Sequence, residues 1–142
     1  MKQIKSFTLM LLSIVLLVGI TACSSNPEDT LKSEIEKANK NYPQELSKGL
    51  EMTSIALEGN KVVFLITVDE QKAGIPLSLL ESQKAAFKEN AATSLKGNSA
   101  VDKLFEIMID LKDSLVYRMQ NKDGKSFDIE YTPEELKQLI SK

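Results

Sequence analysis

The stretch MTSIALEGNKVVFLITV, residues 52–68, decides the fold. Two runs of β-branched and apolar residues flank Gly59-Asn60, a pair that suits a two-residue type II′ turn. The turn predicts a β-hairpin with three opposed pairs: Leu57 with Val62, Ile55 with Phe64, and Thr53 with Ile66. One face of this hairpin is apolar and the other is mixed, as expected for a sheet that packs on a core from one side.

A second hairpin is predicted at Leu115–Gln120 and Ser126–Tyr131. The connection Asn121-Lys122-Asp123-Gly124 is typical of a three-residue loop with a β-bulge, in which Gly124 takes the left-handed conformation. The bulged loop gives three apolar pairs: Met119 with Phe127, Tyr117 with Ile129, and Leu115 with Tyr131. A two-residue loop would pair Met119 with Asp128, so the bulged loop is favoured.

Helix signals surround the two hairpins. Cap residues, first-turn prolines and capping-box acids predict four helix starts: at Asn26-Pro27, at Ser78 with Glu81, at Ser99 with Asp102, and at Thr132-Pro133 with Glu135. Gly97-Asn98 ends the second helix, and residues 44–49 are interpreted as a loop. The predicted fold is α+β, in the order α-ββ-αα-ββ-α. Its two hairpins form a four-stranded antiparallel sheet with helices packed on one face.

The N-terminus has the pattern of a secretory signal peptide: Lys2 and Lys5, then an apolar run over residues 9–20. Ile20-Thr21-Ala22-Cys23 resembles the lipobox of bacterial lipoproteins, in which the cysteine thiol receives a diacylglycerol. The resemblance implies cleavage between Ala22 and Cys23 and lipidation of Cys23. The alternative is an ordinary secretory signal followed by a stray cysteine. The predicted organisation is a signal peptide at 1–22, a lipidated tether at 23–27 and one domain at 28–142.

The tether after the lipid is short, since about 3.3–3.6 Å per residue gives Ser24-Ser25-Asn26 a reach of roughly 10 Å. We therefore expect the domain to lie close to the bilayer, in the cell envelope. Ser24 stands where many Gram-negative lipoproteins kept at the inner membrane have Asp. In a Gram-negative cell the resemblance therefore favours the outer membrane, on either its periplasmic or its surface face.

Composition narrows the chemistry. Without residues 1–22 the chain has 142 − 22 = 120 residues and a net charge of 16 − 20 = −4, because the signal carries two Lys and no acid. A nucleic-acid surface would be strongly basic, so no nucleic-acid partner is expected. The chain has no His and a single Cys. These counts remove His-based catalytic pairs and internal disulfides, and we expect no metal, no cofactor and no enzyme activity.

Three charged residues are candidates for contact with a partner. Asp69-Glu70 follows the first hairpin, and paired carboxylates can act as acid and base or bind Ca²⁺. A solvated turn is the favoured explanation for them. Arg118 is the only Arg in the chain and is expected to point away from the apolar face of its strand. Asp69, Glu70 and Arg118 are therefore predicted as possible partner contacts rather than catalytic residues.

Several segments resemble a family of small lipoproteins from Bacteroides-type bacteria. The segments are Ala38-Asn39-Lys40 before Tyr42-Pro43, Gly49, Met52-Thr53-Ser54, Val63 to Glu70, and Ile129 to Leu136. The matching motifs are caps, turns and strands, and the family brings no established catalytic residues. Many relatives have a Cys before the proline where this chain has Tyr42, so a disulfide at that position is not expected here.

Three functions remain in view. The first is a non-catalytic binding or assembly module that uses a sheet face or groove against another envelope protein. The second is an inhibitor or immunity-type lipoprotein, because paired helix-hairpin units resemble the β-lactamase-inhibitor-like arrangement. The third is an enzyme that depends on carboxylates, Tyr or Lys. An exposed apolar sheet face favours the first, a protruding acidic loop at 69–72 the second, and a pocket with two carboxylates the third.

Overall fold

The protein is described by a computed structural model that covers residues 26–96 and 99–140. The predicted cleavage site at Ala22-Cys23 and the Gly97-Asn98 turn lie outside the described residues. The elements follow in this order: α1 (Pro27–Asn39), β1 (Gln44–Ser47), β2 (Leu50–Glu58), β3 (Lys61–Val68), α2 (Glu70–Ala73), α3 (Leu77–Ser82), α4 (Lys84–Leu95), α5 (Ser99–Asp110), β4 (Ser114–Asn121), β5 (Ser126–Tyr131) and α6 (Pro133–Ile140).

The strands form one mixed sheet in the order β1-β2-β3-β4-β5. Neighbours are antiparallel except at the centre, where β3 and β4 are parallel. The α+β class is confirmed, but the four-stranded antiparallel sheet is wrong. The segment from α2 to α5 links the two hairpins as a crossover, and a connection of a dozen or more residues is what allows consecutive strands to pair in parallel.

The fifth strand, β1, lies in the segment interpreted as a loop. It pairs antiparallel with β2, with Gln44 opposite Met52 and Ser47 opposite Leu50. Leu46 is its one buried residue. Four residues with a single apolar side chain carry too little alternation to predict a strand, so this element depends on β2 as its template.

The first hairpin has the predicted register near its turn and departs from it further along. Leu57 pairs with Val62 and Ile55 with Phe64, and Gly59 has a φ of 59°, as the first position of a type II′ turn requires. Beyond these pairs a β-bulge sets Met52, not Thr53, opposite Ile66. Thr53 is the extra residue, and its hydroxyl lies 2.6 Å from that of Thr67. The predicted pairing of Thr53 with Ile66 is therefore wrong.

The second hairpin has the predicted register throughout. All three predicted pairs are present: Met119 with Phe127, Tyr117 with Ile129, and Leu115 with Tyr131. The N–H of Asn121 donates to the carbonyl of Lys125, and the N–H of Gly124 donates to the carbonyl of Asn121. Gly124 has a φ of 85°. These bonds define a type I turn followed by a G1 bulge.

The core lies on one face of the sheet. Alternate residues of β3, β4 and β5 join a single buried cluster with side chains from the helices, among them Leu31, Phe87, Phe105 and Leu136. The opposite, outer face of the sheet holds two buried apolar residues, Val63 and Val116, which pair across the parallel strands but lie outside that cluster. The helices therefore cover one face, as predicted.

Two of the predicted helix starts are confirmed in detail. Asn26 caps α1 through a 2.9 Å bond from the N–H of Glu28. Thr132 and Glu135 form the reciprocal capping box of α6, with both bonds at 3.2 Å. α5 begins at the predicted Ser99, whose side chain lies outside the described residues. Among the described ranges, no helix is long and apolar enough to cross a membrane.

The capping box at Ser78 is wrong. α3 begins one residue earlier, after Pro76, and the chain between residues 77 and 95 forms two helices that meet at Gln83. The N–H of Leu77 donates to a carboxylate oxygen of Glu70 at 2.7 Å. The carboxylate of Glu70, seven residues upstream, thus caps α3 in place of a local Ser. No pattern within α3 predicts this bond.

Gly49 and Gly124 provide a matched pair for a stability test. Their φ angles are 84° and 85°, so alanine costs about 1–2 kcal/mol of left-handed strain at either position. A Cβ at Gly49 would lie 2.8 Å from the Cα of Ala73 in α2, whereas one at Gly124 meets nothing within 4 Å. We expect Gly49→Ala to lower the free energy of unfolding by about 1–3 kcal/mol more than Gly124→Ala. Urea denaturation measures both, and equal losses would show that α2 does not pack against Gly49.

The three tyrosines predict a shared response to alkaline pH. Burial raises the pKa of Tyr42 to about 12, and it raises the pKa of Tyr117 and Tyr131 further. Among the described residues, the hydroxyls of Tyr42 and Tyr117 are buried and have no hydrogen-bond partner, so a phenolate there would be unsolvated. Because the pKa of each is higher in the folded chain than the value near 10 of the unfolded chain, their contribution to stability is full below pH 10 and is lost above it.

We therefore expect phenolate absorbance to stay flat through about pH 10 and then to rise together with loss of the circular-dichroism signal. In concentrated urea the same tyrosines should ionise near pH 10. One phenol that ionises near pH 10 in the folded chain would contradict the buried placement of that tyrosine.

Candidate functional site

The hydrogen-bond pattern of the second hairpin fixes which groups of β5 face outward. The backbone of Asn121 forms hydrogen bonds with Gly124 and Lys125, on the β5 side of the turn. In an antiparallel ladder, every second residue of β4 counted from Asn121 therefore forms its backbone hydrogen bonds with β5. Phe127, Ile129 and Tyr131 therefore bond to β4. The N–H and C=O groups of Ser126, Asp128 and Glu130 point away from the sheet. We call these outward groups the β5 edge.

On the opposite side of the sheet β1 is the edge strand, and β2 is covered in part. β1 covers β2 only over residues 50–52. Beyond β1, the Asn39 side chain takes the place of a strand, because its amide N–H donates to the carbonyl of Ile55 and its amide oxygen accepts from the N–H of Ile55, both at 2.8 Å. The last residue of α1 thereby satisfies both outward groups of Ile55 on β2.

The β5 edge has no such cover. Within residues 26–96 and 99–140, no hydrogen bond joins the outward backbone groups of Ser126, Asp128 or Glu130 to another part of the chain. Ser126 is exposed, and the other two residues are partly exposed. An unpaired strand edge is a template for another strand, and natural proteins commonly blunt such edges with charge. Asp128 and Glu130 supply charge here.

Two surface depressions flank β5, and together we call them the β5 trough. One, of about 540 Å³, lies beside Ser126, Phe127 and Asp128, and the other, of about 310 Å³, lies beside Tyr131. Residues of α3 and α4 form the far wall at three- to four-residue spacing, which places them on one helical face: Glu81, Lys84, Ala85, Lys88, Glu89 and Ala92. The second depression is the more apolar, with Ala85, Ala92, Tyr131 and Leu139 in its lining.

Arg118, predicted as a partner contact, lies on the outer face and is bound within the sheet. Its Nε and Nη2 donate to the two oxygens of Asp128 at 2.9 and 3.1 Å, and its Nη1 donates to Glu58 at 3.1 Å. The bonds to Asp128, then those to Glu58, raise the pKa of the guanidinium. Arg118 thus holds the Asp128 carboxylate in place beside the β5 edge.

Further ion pairs lie near the C-terminal end of β5. Lys61 pairs with Glu130 at 3.3 Å on the outer face. On the helix side, Lys88 pairs with Glu135 at 2.7 Å and lies 5.5 Å from the centre of the Tyr131 ring. The hydrogen bond from Lys88 lowers the pKa of Glu135. The Tyr131 hydroxyl donates to the backbone carbonyl of Lys88, which ties β5 to α4.

Asp69 and Glu70, the other predicted contacts, have structural roles. Asp69 caps α2 by accepting from the N–H groups of Gln71 and Lys72, and it pairs with Lys122 at 2.9 Å. Glu70 accepts from Leu77 and from the amide of Asn121. The segment 69–72 is thus a capped helix start bound to the end of β4, and it is not the protruding acidic loop that an inhibitor would favour.

A crevice of about 260 Å³ lies at this end of the sheet, with Glu45, Glu51, Asp69, Lys72 and Lys122 in its lining. Its three carboxylates meet the requirement for at least two that an enzyme of this kind would have. However, the bond from Lys122, together with the backbone bond from Lys72, lowers the pKa of Asp69, which suits a charged anchor rather than a proton donor. No cluster of three or more acidic, His or Cys side chains in the described part of the chain is arranged to hold a metal.

The outer sheet face is not the apolar patch considered from the sequence. Val63 and Val116 are 2% and 0% exposed, and ion pairs of Arg118 and Lys61 flank them. Sequence reasoning identified Arg118 but missed Asn39, Glu58 and the β5 edge. The turn at residues 121–124 already fixes which β5 groups face outward. What the sequence lacked was the strand order that leaves β5 at the edge.

The role of Asn39 can be tested against a neighbour. Asn39→Ala leaves both backbone groups of Ile55 unpaired, so we expect it to lower the free energy of unfolding by about 2–3 kcal/mol. Asn41→Ala is the control, since Asn41 is exposed and lies two residues away, and we expect a change within about 0.5 kcal/mol. Urea denaturation compares the two. Equal effects would mean that the Asn39 amide does not close the β2 edge.

Comparison with known proteins identifies the fold. No family model matches the chain, and no curated protein matches it significantly. A crystal structure of a candidate secreted protein from Pseudomonas aeruginosa matches with a TM-score of 0.61 at 11% identity, over 83% of this chain and 99% of that one.

Two pilotins of type II secretion systems also match, each with a TM-score of 0.50 over 78% of this chain. One, EpsS from Vibrio vulnificus, is 15% identical and is covered over 91% of its length. The other, AspS from Vibrio cholerae, is 17% identical and is covered over 92%. At these identities the matches establish a shared fold, which also occurs in proteins of bacterial secretion systems.

Proposed function

We propose that the mature protein is a lipid-anchored module of the cell envelope that binds another envelope protein and catalyses no reaction. The observation that carries this proposal is the fold shared over most of both chains with two type II secretion pilotins, which belong to an envelope assembly. The lipobox-like segment ending at Cys23 points to the same compartment.

The charged side chains of the described residues have structural roles, which favours a binding function over catalysis. Arg118, Asp69, Glu70 and Glu135, which would be the candidates for chemistry, are used in ion pairs and helix caps. The tyrosines have raised pKa values, so they remain protonated at neutral pH and do not supply a base. The crevice at Asp69 is the strongest support for an enzyme, and the lowered pKa of that carboxyl argues against proton donation.

The inhibitor reading has less support. An inhibitor loop must protrude into the cleft of its target, and residues 69–72 are instead fixed by Lys122 and by the start of α2. The two hairpins are also joined by the parallel pairing of β3 with β4, whereas the paired helix-hairpin units considered from the sequence were expected to form an antiparallel sheet.

Membrane attachment through Cys23 is tested by labelling cells with a radioactive fatty acid. The wild-type protein should incorporate the label and sediment with the membranes, because two or three acyl chains hold stably where one is marginal. Cys23→Ser should incorporate none. Equal labelling of the two proteins would place the lipid elsewhere or rule it out.

The binding role is tested by crosslinking the lipidated protein in its native membrane and identifying what is recovered. We expect a discrete envelope protein, whose yield falls when Cys23→Ser removes the protein from the bilayer. Recovery of a bound small molecule and no protein partner would contradict the assembly role.

A further inference from the structure

The two edges of the sheet are treated differently by the fold. On the β2 side, β1 pairs with residues 50–52 and the Asn39 amide fills the outward groups of Ile55. On the β5 side, the outward N–H and C=O groups of three alternate residues remain unfilled by any described residue. The β5 edge is therefore a site where main-chain hydrogen bonds can still form.

The open edge has the length of an ordinary strand. β5 has six residues, which span about 20 Å. Within residues 126–130, the backbone N–H and C=O groups of every second residue are available. This is enough to pair an added segment of about six residues. Recognition by strand addition works in this way, with affinity from the main chain and specificity from alternate side chains.

The two sides of the β5 edge differ in chemistry. On the outer face stand the carboxylates of Asp128 and Glu130, which are 32% and 35% exposed and are held by Arg118 and Lys61. On the helix side, the depression beside Tyr131 has Ala85, Ala92, Tyr131 and Leu139 in its lining, together with Lys88, Glu89, Glu135 and Gln138. Since side chains of a strand alternate between faces, an added strand would place one set against carboxylates and the other against this partly apolar depression.

A second copy of the same chain fits this edge poorly in the register centred on Asp128. Two β5 strands related by a twofold axis through Asp128 would set Asp128 opposite Asp128 and Ser126 opposite Glu130. Like charges directly opposite each other on neighbouring strands are destabilising. Basic side chains facing Asp128 and Glu130 would instead be favourable.

We propose that the β5 edge binds an extended segment of a partner protein as a sixth strand, with Lys or Arg toward Asp128 and Glu130 and alternate apolar side chains toward the β5 trough. This inference rests on the proposed binding function and assigns it a surface and a kind of partner.

The test uses a synthetic peptide of about six residues that alternates Lys and Val, added to the isotope-labelled mature protein. Hydrogen exchange by NMR should show the amides of Ser126, Asp128 and Glu130 exchanging freely alone and slowing about tenfold or more with the peptide. The amides of Phe127, Ile129 and Tyr131 should be protected in both states. Slowing confined to other surfaces, or no binding at millimolar peptide, would overturn the proposal.

Modified peptides separate strand addition from simple charge attraction. N-methylation at the alternate residues whose amides face β5 should weaken binding about tenfold or more, whereas N-methylation in the other register should not. Replacing Lys with Glu should weaken binding by a similar factor. Equal affinity of the two N-methylated peptides would show that backbone pairing is absent and would overturn the proposal.

A matched pair of variants tests the protein side. Ser126→Pro removes an outward N–H that β4 does not use, and Ser126→Ala keeps it. We expect the Pro variant alone to lose peptide affinity, with both variants keeping the wild-type circular-dichroism spectrum. If Ser126→Pro fails to fold, the N-methylated peptides decide the question.

Two outcomes keep this inference distinct from the proposed function. Slowing of the β5 edge amides that grows with protein concentration and needs no peptide would identify a second copy as the occupant and overturn the partner proposal. Membrane crosslinking that recovers an envelope partner at a surface other than β5 would leave the binding function standing while it overturns the site.

Discussion

The parallel pairing of β3 with β4 is the constraint on which the rest of the structure depends. Eight residue pairs join the strands, from Lys61 with Ser114 to Val68 with Asn121. Because parallel strands cannot be joined by a tight turn, the chain must return across the sheet, and helices α2 to α5 lie on that return path. The hairpins on either side then extend outward, and β1 and β5 become the two edges.

The same pairing explains why most of the conspicuous acids are structural. The carboxyl ends of β3 and β4 lie side by side, which brings Asp69 and Glu70 next to Asn121 and Lys122. At such a position in parallel sheets a ligand is commonly bound, and here the chain's own caps and ion pairs occupy it. By contrast, the carboxylates of Asp128 and Glu130 on β5 flank backbone groups for which the described residues provide no hydrogen bond. This difference is why the edge, and not the acid pair, becomes the candidate binding surface.

What the sequence predicts depends on how local each interaction is. The Asn121–Gly124 turn fixed the full register of β4 with β5, because turn chemistry and apolar alternation act within a few residues of each other. The capping box of Thr132 and Glu135 was equally local. The bulge at Thr53 was missed, because a bulge depends on the fit of both strands to their other neighbours.

The parallel pairing of β3 with β4 was not predicted, although the sequence contains a signal for it. Val63 and Leu65 are apolar on the face of β3 away from the core, as in a central strand with neighbours on both sides. Arg118 was correctly placed off the apolar face, but Glu58, its partner from 60 residues away, follows only from the strand order. The edge character of β5 also depends on that order, so the candidate site followed from the structure alone.

The position of α1 links the proposed anchor to the proposed surface. α1 packs on β2 and α5. Burial raises the pKa of Asp113, just before β4, and the charge of Glu28 in the first turn of α1 raises it further. With the proposed lipid on Cys23, the bilayer would lie near Asn26 and so toward the start of β4, where the Tyr131 end of β5 also lies in the antiparallel pair. The β5 edge would then run away from the membrane for about 20 Å. A partner segment that emerges from a membrane-bound neighbour would meet this edge at its Tyr131 end and could pair along it as it leaves the bilayer surface.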